Sequence, residues 1–70
     1  MSSDVYAVSE IVGSSTTSIE EAIENAVARA RKTLRNLDWF EVTEVRGHLE
    51  DDGSVGHYQV SLKLGFKMEE

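Results

Sequence analysis

A chain of 70 residues forms one small domain, which buries only about 60% of the surface that it exposes when unfolded and therefore needs a stabilising device. The absence of cysteine excludes disulfides and thiolate zinc sites, which leaves self-association as the common device. Thirteen acidic and seven basic residues give a formal charge of −6, which argues against a nucleic-acid-binding face. We expect a single domain over residues 1–70.

The N-terminal stretch MSSDVYAVSEIVG has no basic segment followed by a long apolar core, so it does not have the pattern of a signal peptide. No apolar run approaches the roughly 18 residues that a membrane span needs. From these two observations we expect a soluble cytoplasmic protein without a membrane partner.

The first two elements are predicted to be a strand and a helix. The short, β-branched stretch from Val5 to Val12 predicts a strand, and the small residues from Gly13 to Thr17 predict a turn. Apolar residues then recur at steps of three and four, which predicts an amphipathic helix. Ser18 and Glu21 have the spacing of a capping box, so the helix should run from near Ser18 to near Asp38, a length of about 30 Å.

Four of the seven basic residues lie in the second half of this predicted helix, and three acidic residues lie in its first half. This distribution complements the helix dipole, which stabilises an exposed charge at either end by about 0.3–1 kcal/mol. A phosphate- or RNA-binding patch is the alternative interpretation, and we prefer the dipole. The basic residues are Arg29, Arg31, Lys32 and Arg35.

Two further extended segments flank the sequence EDDGSV, in which the dipeptide Asp52-Gly53 favours a two-residue type I′ hairpin turn. Such a turn also predicts which residues lie opposite one another on the two strands. The predicted pairs are Glu50 with Val55, His48 with His57, Arg46 with Gln59, and Val45 with Val60.

The second strand of this hairpin alternates from Val55 to Met68, with apolar side chains on one face and polar side chains on the other. On the first strand, Phe40 and Val42 have the opposite parity to the residues near the turn. A β-bulge near Thr43 or Glu44 would reconcile the two halves, because one extra residue exchanges the faces. The predicted fold is α+β, with the order β-α-β-β and a three-stranded antiparallel sheet.

The lengths of these elements indicate that the chain is a protomer. A strand from Val55 to Met68 would extend over about 46 Å, whereas the predicted helix covers about 30 Å. The helix cannot shelter the whole apolar side of this strand, so Phe66 and Met68 need cover from another chain.

The candidate binding residues lie at the predicted helix end and on the polar face of the hairpin. Trp39, the single tryptophan, offers a flat surface for stacking. The amide of Gln59 carries a donor and an acceptor, which suits a heterocycle with adjacent N–H and C=O groups. Arg46 and Lys67 supply positive charge for a phosphate or a carbonyl. This set favours a planar cofactor with a polar edge, while a hydrophobic plug under the last helical turn is the alternative role for the tryptophan.

The remaining polar residues indicate neither a metal nor catalysis. His48 and His57 face each other, but zinc normally takes three or four protein ligands, so we prefer a solvated pair that modulates an anionic ligand. No carboxylate is placed to orient His57 beside Ser61, so a catalytic triad is not supported. Gly47, opposite Tyr58, is expected to give an aromatic ring room over bare backbone.

The segments EIVGSS, ARARKTLRNLDWFEV, RGH and YQVSLKLGF occur in this order, and with them the chain closely resembles the bacterial dodecins, a family of small flavin-binding proteins. The resemblance implies a sheet that partly wraps one helix, and a hollow homododecamer with 23 symmetry. It also implies flavin storage and buffering without enzymatic turnover, with flavins bound in pairs between symmetry-related tryptophans that quench their photochemistry. FMN is the implied cofactor, and riboflavin is the alternative.

The same resemblance implies roles for individual residues. Trp39 is the stacking residue, and Gln59 hydrogen-bonds the pyrimidine end of the flavin. Arg46 and Lys67 stand where bacterial members carry basic residues near the flavin or its phosphate, although position 67 is more often arginine. Two further residues match positions that contact the ribityl chain, namely Glu44 and His48.

Two other functions remain as alternatives. An oligomeric shell that binds another nucleotide-type cofactor, such as coenzyme A, would give the helix arginines a larger role. A flavin enzyme would need a free ring face for a hydride donor, which a flavin pair enclosed between two indoles does not offer. We therefore predict no catalytic residue and no metal site.

Overall fold

The computed structural model describes residues 3–69; the predicted domain also includes residues 1, 2 and 70, which lie outside this range. One helix and three strands follow one another in the predicted order. Their bounds are Tyr6–Ser15 for β1, Ile19–Ala30 for α1, Leu37–Leu49 for β2 and Val55–Lys67 for β3. The strands form one antiparallel sheet in the order β1-β3-β2, which confirms the predicted fold class.

Strand β1 continues to Ser15, beyond its predicted end at Val12. The small residues that follow Val12 form a close contact with the helix instead of a turn. A Cβ at Gly13 would overlap the carbonyl oxygen of Ala22 and lie 2.8 Å from the Cβ of Ala26. The bare backbone at Gly13 therefore lets α1 pack directly on β1 while the strand keeps its pairing with β3.

Helix α1 begins where the sequence predicts. The Ser18 hydroxyl oxygen accepts a hydrogen bond from the backbone N–H of Glu21 at 3.0 Å, as an N-cap should. Instead of closing a capping box, the Glu21 carboxylate accepts a hydrogen bond from the Ser15 hydroxyl at 2.6 Å. The same Ser15 oxygen accepts from the backbone N–H of Thr17 at 2.9 Å, which ties the end of β1 to the start of the helix.

The helix ends at Ala30, well before the predicted end at Asp38. Asn36 has a left-handed backbone conformation with φ of 62°, which an α-helix does not accommodate. Leu34 and Leu37 nevertheless pack against the core. Their helical spacing was therefore a sign of burial, and the prediction of a long helix from it was wrong.

The β2–β3 hairpin confirms most of the predicted register. Three of the predicted pairs are present, namely His48 with His57, Arg46 with Gln59, and Val45 with Val60. The predicted β-bulge is also confirmed, because the register shifts between Val42 and Glu44 and leaves Thr43 as the extra residue. The Thr43 hydroxyl donates a hydrogen bond to the backbone carbonyl of Ser61 at 3.1 Å.

The hairpin turn differs from the predicted type I′ turn. Leu49, not Glu50, lies opposite Val55 after a further register shift. A type I′ turn needs two positive φ angles, whereas in this turn Gly53 alone has one, at 88°. Gly53 N–H donates to the Glu50 carbonyl at 2.9 Å, and Glu50 N–H donates to the Ser54 carbonyl at 2.8 Å. This is the pattern of a three-residue turn that ends in a glycine bulge.

The core lies between α1 and the face of the sheet that it covers, which we call the helix side. The helix packs on β1 and β3, so the helix side of β2 stays largely uncovered. Phe40 and Val45 are about half exposed there although they lie opposite Leu64 and Val60 of the core. The core residues are Ala22, Ala26, Ala30, Val60, Leu62 and Leu64.

The described chain is elongated. Its Cα atoms extend over 57 × 20 × 14 Å, with a radius of gyration of 14.7 Å. A compact domain of this length has a radius of gyration of about 11 Å. The helix of twelve residues covers only about 18 Å of this length, which leaves both ends of the sheet uncovered. Within residues 3–69, no helix is long and apolar enough to cross a membrane.

Candidate functional site

The six predicted binding residues lie on the side of the sheet opposite to the helix, which we call the open face. Residues that pair across antiparallel strands share a face, and alternate residues of β3 point away from the core. The pairs that place the six residues are Trp39 with Gly65, Glu44 with Ser61, Arg46 with Gln59, His48 with His57, and Lys67 with Tyr6.

On this face the predicted residues fall into two groups. Trp39 and Lys67 lie at one end, with Tyr6, Asp38 and Gly65; we call these five residues the tryptophan cluster. The other group is the glutamine cluster, which consists of Glu44, Arg46, His48, His57, Gln59 and Ser61. Between the strand partners Gly65 and Gln59, β3 extends over roughly 20 Å. The structure therefore does not bring Trp39 and Gln59 of one chain together.

Trp39 belongs to strand β2 and not to a helix end, which corrects its predicted location. Its indole ring lies against the backbone of Gly65, because a Cβ at that glycine would overlap ring atoms Cδ2, Cε2 and Cζ2. The side chain remains 41% exposed. It is therefore a ring supported from beneath and accessible from outside, and not a plug under the helix.

Gly65 provides the bare backbone beneath an aromatic ring, whereas the sequence pattern predicted this role for Gly47. Gly47 does pair with Tyr58, but on the helix side, and a Cβ there would meet only ordinary contacts, the nearest at 3.5 Å from the His57 carbonyl oxygen. A glycine opposite an aromatic residue was the correct signal. It applied to the Trp39–Gly65 pair, whose register depends on the bulge at Thr43.

Tyr6 and Asp38 also belong to the site and were not predicted. The Tyr6 ring centroid lies 6.4 Å from that of Trp39, at an interplanar angle of 44°. The Tyr6 hydroxyl donates a hydrogen bond to Asp38 Oδ2 at 2.9 Å. That hydrogen bond, followed by desolvation and the negative charges of Asp38 and Asp4, raises the pKa of Tyr6 above its ordinary value.

Lys67 carries its charge to the same end of the open face. Its Nζ lies 3.7 Å from Asp4 Oδ2, and both side chains are about half exposed. An exposed pair of this kind is weak, typically about 0–1 kcal/mol, so the ammonium can exchange this carboxylate for another anion.

In the glutamine cluster, Arg46 is held by two partners. Its Nη2 donates to the carboxylate of Glu44 and, at 3.1 Å, to the hydroxyl of the buried Ser61. The guanidinium is thereby oriented beside Gln59, its partner across the strands. No hydrogen bond of the Gln59 amide is found within residues 3–69, so this half-buried amide has its donor and acceptor available to a ligand.

The two histidines form a stacked pair, with ring centroids 5.3 Å apart and an interplanar angle of 17°. His48 Nε2 lies 3.9 Å from Glu50 Oε1, and both side chains are more than half exposed. In the part of the chain that the structure describes, no group of three or more histidine, cysteine or acidic side chains could hold a metal.

Comparisons with known proteins agree with this architecture. The family model described as Dodecin matches residues 5–69. A curated dodecin from Thermus thermophilus is 56% identical over 66 residues, which cover 94% of each chain. The curated calcium dodecin from Mycobacterium tuberculosis is 36% identical over 64 residues, which cover 91% of this chain and 89% of the relative.

Solved structures agree as well. The structure of dodecin from Streptomyces coelicolor superposes with a TM-score of 0.92 at 58% identity, covering all of this chain and 99% of the other. The similarity therefore extends over the helix, the three strands and the open face that carries Trp39. On the family match, the sequence identity and the shared fold, this chain belongs to the dodecin family.

Proposed function

We propose that this protein binds FMN on the open face and stores it, with Trp39 as the stacking residue. The observation that carries the proposal is the indole of Trp39, which is supported by the backbone of Gly65 and is 41% exposed. An indole held in this way offers a flat aromatic surface to a planar ring, and such stacking contributes about 0.5–1.5 kcal/mol beyond the burial of area.

The separation of the two clusters supports a site that is shared between chains. Trp39 and Gln59 of one chain lie roughly 20 Å apart along β3, which is longer than a three-ring flavin. A flavin that stacks on one indole must therefore take its amide contact from another protomer. This geometry fits a homododecamer of 23 symmetry in which paired flavins lie between symmetry-related copies of Trp39.

The polar residues have complementary roles in this proposal. The Gln59 amide hydrogen-bonds the pyrimidine edge, and Arg46, oriented by Glu44 and Ser61, supplies a fixed positive charge beside it. Lys67 attracts the phosphate. The remaining contacts, to the ribityl chain, are assigned to Glu44 and His48.

The proposed role is storage and buffering, with protection against light, and not catalysis. When bound, a flavin would supply the ring that absorbs light, and the indole of Trp39 stacked on it would quench the excited flavin by a transient electron transfer that then reverses. Enclosure between two indoles leaves no ring face for a hydride donor.

FMN fluorescence tests the proposal directly. Adding the protein at micromolar concentration to FMN should quench the emission, and Trp39→Ala should abolish that quenching because the stacking partner is lost. Trp39→Phe keeps a ring and is the matched control, for which we expect weaker binding. Unchanged emission with the wild-type protein, or equal quenching by Trp39→Ala, contradicts the proposal.

The dependence of binding on salt concentration distinguishes FMN from riboflavin as the ligand. Only FMN carries a phosphate, so raising the salt concentration should weaken FMN binding more than riboflavin binding if Lys67 attracts that charge. Lys67→Gln should remove the difference. The same salt sensitivity for both flavins would contradict the role assigned to Lys67.

A second candidate is an oligomeric shell that binds another nucleotide-type cofactor, such as coenzyme A. A groove of about 720 Å³ between α1 and β1 favours it, because Arg29 and Lys32 lie beside Asn25 in its wall. Native mass spectrometry of the protein as isolated decides between the two candidates by the mass of the bound molecule.

A further inference from the structure

Tyr6 and Asp38 are the two members of the tryptophan cluster that have no role in the proposed flavin contacts. We propose that they lock the indole of Trp39 in its stacking position before any ligand arrives, and that both are positioning residues of the site. The effect on affinity rests on the proposed function, since it needs a stacked flavin. The lock itself is a property of the protein without ligand.

The lock is built from all three strands. Trp39 on β2 lies opposite Gly65 on the central strand, and Tyr6 on β1 lies opposite Lys67, two residues further along β3. The register shift between Leu37 and Trp39 makes Asp38 an extra residue of β2. A bulge changes the direction in which the side chain of the extra residue points. Here the Asp38 side chain extends across the central strand, and its Oδ2 accepts a hydrogen bond from the Tyr6 hydroxyl at 2.9 Å.

Two surfaces then restrict the indole. The backbone of Gly65 supports one side of the ring, and the tilted Tyr6 ring lies beside it with its centroid at 6.4 Å. Burial alone does not hold Trp39, because the side chain is 41% exposed. An exposed side chain ordinarily samples several staggered rotamers, so a specific contact is needed to select one. The anchored phenol ring of Tyr6 is that contact.

Because the indole of Trp39 is already ordered before a ligand binds, the site is preorganised. Ordering a freely rotating side chain when a ligand binds weakens affinity by about two- to tenfold. A site between two indoles would bear this cost twice, and the lock removes it by ordering each indole during folding. Removing the lock should therefore weaken flavin binding without removing any atom that touches the flavin.

The single tryptophan makes the lock measurable without ligand, since fluorescence excited at the red edge of the indole absorption, where tyrosine does not absorb, reports Trp39 alone. Time-resolved anisotropy of the ligand-free protein gives the amplitude of fast indole motion. Tyr6→Phe keeps the ring and removes the hydroxyl, and Asp38→Ala removes the acceptor. Tyr58→Phe is the matched control, because the second tyrosine lies on the helix side opposite Gly47.

We expect Tyr6→Phe and Asp38→Ala to increase the amplitude of fast indole motion and to weaken FMN binding by about two- to tenfold for each indole. Asp38→Asn should resemble the wild-type protein, because its amide oxygen still accepts the hydrogen bond. Tyr58→Phe should change neither quantity. Should Tyr6→Phe fail to assemble, Asp38→Ala tests the same hydrogen bond from its other end.

If the anisotropy decay of Tyr6→Phe equals that of the wild-type protein, the lock is overturned. If Tyr6→Phe does not assemble, the same result in Asp38→Ala overturns it. A looser indole with unchanged FMN affinity overturns its role in binding. Failure of the wild-type protein to bind FMN contradicts the proposed function and leaves the anisotropy comparison to decide on the lock alone.

Discussion

Gly65 has the most specific role of any single position on the open face, because its missing side chain makes room for the indole of Trp39. A methyl group at residue 65 would overlap the ring and displace it. We expect Gly65→Ala to weaken FMN quenching at least roughly tenfold, the equivalent of about 1.4 kcal/mol. Overpacking should also lower the free energy of unfolding by about 1–3 kcal/mol.

Gly47→Ala is the matched control for this prediction, since a Cβ there meets only ordinary contacts. Fluorescence titration and urea unfolding of the two variants make the comparison. Quenching by Gly65→Ala equal to that by Gly47→Ala would show that the indole does not depend on the bare backbone.

The Tyr6 side chain also gives a prediction for how stability and tyrosine ionisation depend on pH. Its hydrogen bond to Asp38 stabilises the neutral phenol and raises its pKa above the usual value of about 10. The stability contributed by this group is therefore fully present below the unfolded-state pKa and is lost as pH rises through the folded-state pKa. Ultraviolet absorption in a Tyr58→Phe background, where Tyr6 is the remaining tyrosine, should show a late titration.

Asp38→Ala in that background should return the titration of Tyr6 towards its ordinary value. The same midpoint with and without Asp38 would mean that the hydrogen bond does not hold in solution, and the proposed lock would lose its anchor.

At the scale of the elements, the contact between α1 and β1 depends on Gly13. A Cβ at this position would overlap the backbone oxygen of Ala22, which cannot move without bending the helix. We expect Gly13→Ala to lower the free energy of unfolding by about 1–3 kcal/mol or to disrupt assembly. Urea unfolding measures the effect, with Gly47→Ala again as control, and equal midpoints for the two variants would contradict the prediction.

The local sequence pattern determines the strands of the hairpin but does not determine where the helix ends. Strand β3 alternates strictly, and its pairing with β2 follows from that alternation together with the bulge at Thr43 and two further register shifts, at Asp38 and next to the hairpin turn. The stretch after Ala30 keeps helical spacing, yet it turns at Asn36 so that β2 can begin at Leu37. Pairing of Leu37 with Phe66 on the central strand outweighs the local helical preference there.

At the scale of the whole molecule, the uncovered helix side of β2 is where we expect another copy of the chain to pack. Phe40 and Val42 are exposed there, and Phe40 also lines a cleft of about 490 Å³ beside Ile23 and Val27 of the helix. A small core of three alanines and three aliphatic residues leaves this surface without cover from the chain itself. Exposed apolar surface of this kind marks an interface.

Phe40→Asp should therefore prevent assembly, because it would bury an unpaired charge in that interface. Light scattering after size exclusion should show a mass close to the 7.8 kDa of one chain, while Phe40→Leu keeps the wild-type mass. The mass of the full assembly in Phe40→Asp would show that this surface does not form the interface. FMN binding should be lost with assembly, since Trp39 and Gln59 of one chain cannot reach the same flavin.

The sequence alone determined those features that depend on residues near one another in the chain. Capping by Ser18, alternation along β3 and the bulge at Thr43 each follow from local hydrogen bonding or from side-chain direction, and the structure confirms them. The motif around Trp39 also led to the correct family.

Tertiary structure alone decided the features that join distant segments. The support of Trp39 by Gly65, the hydrogen bond from Tyr6 to Asp38 and the early end of the helix all depend on how β1 and β2 align on β3. Such alignment depends on long-range burial and on shifts of register, which a local pattern does not contain. The separation of the two binding clusters is of the same kind, because only the assembled sheet sets the distance between them.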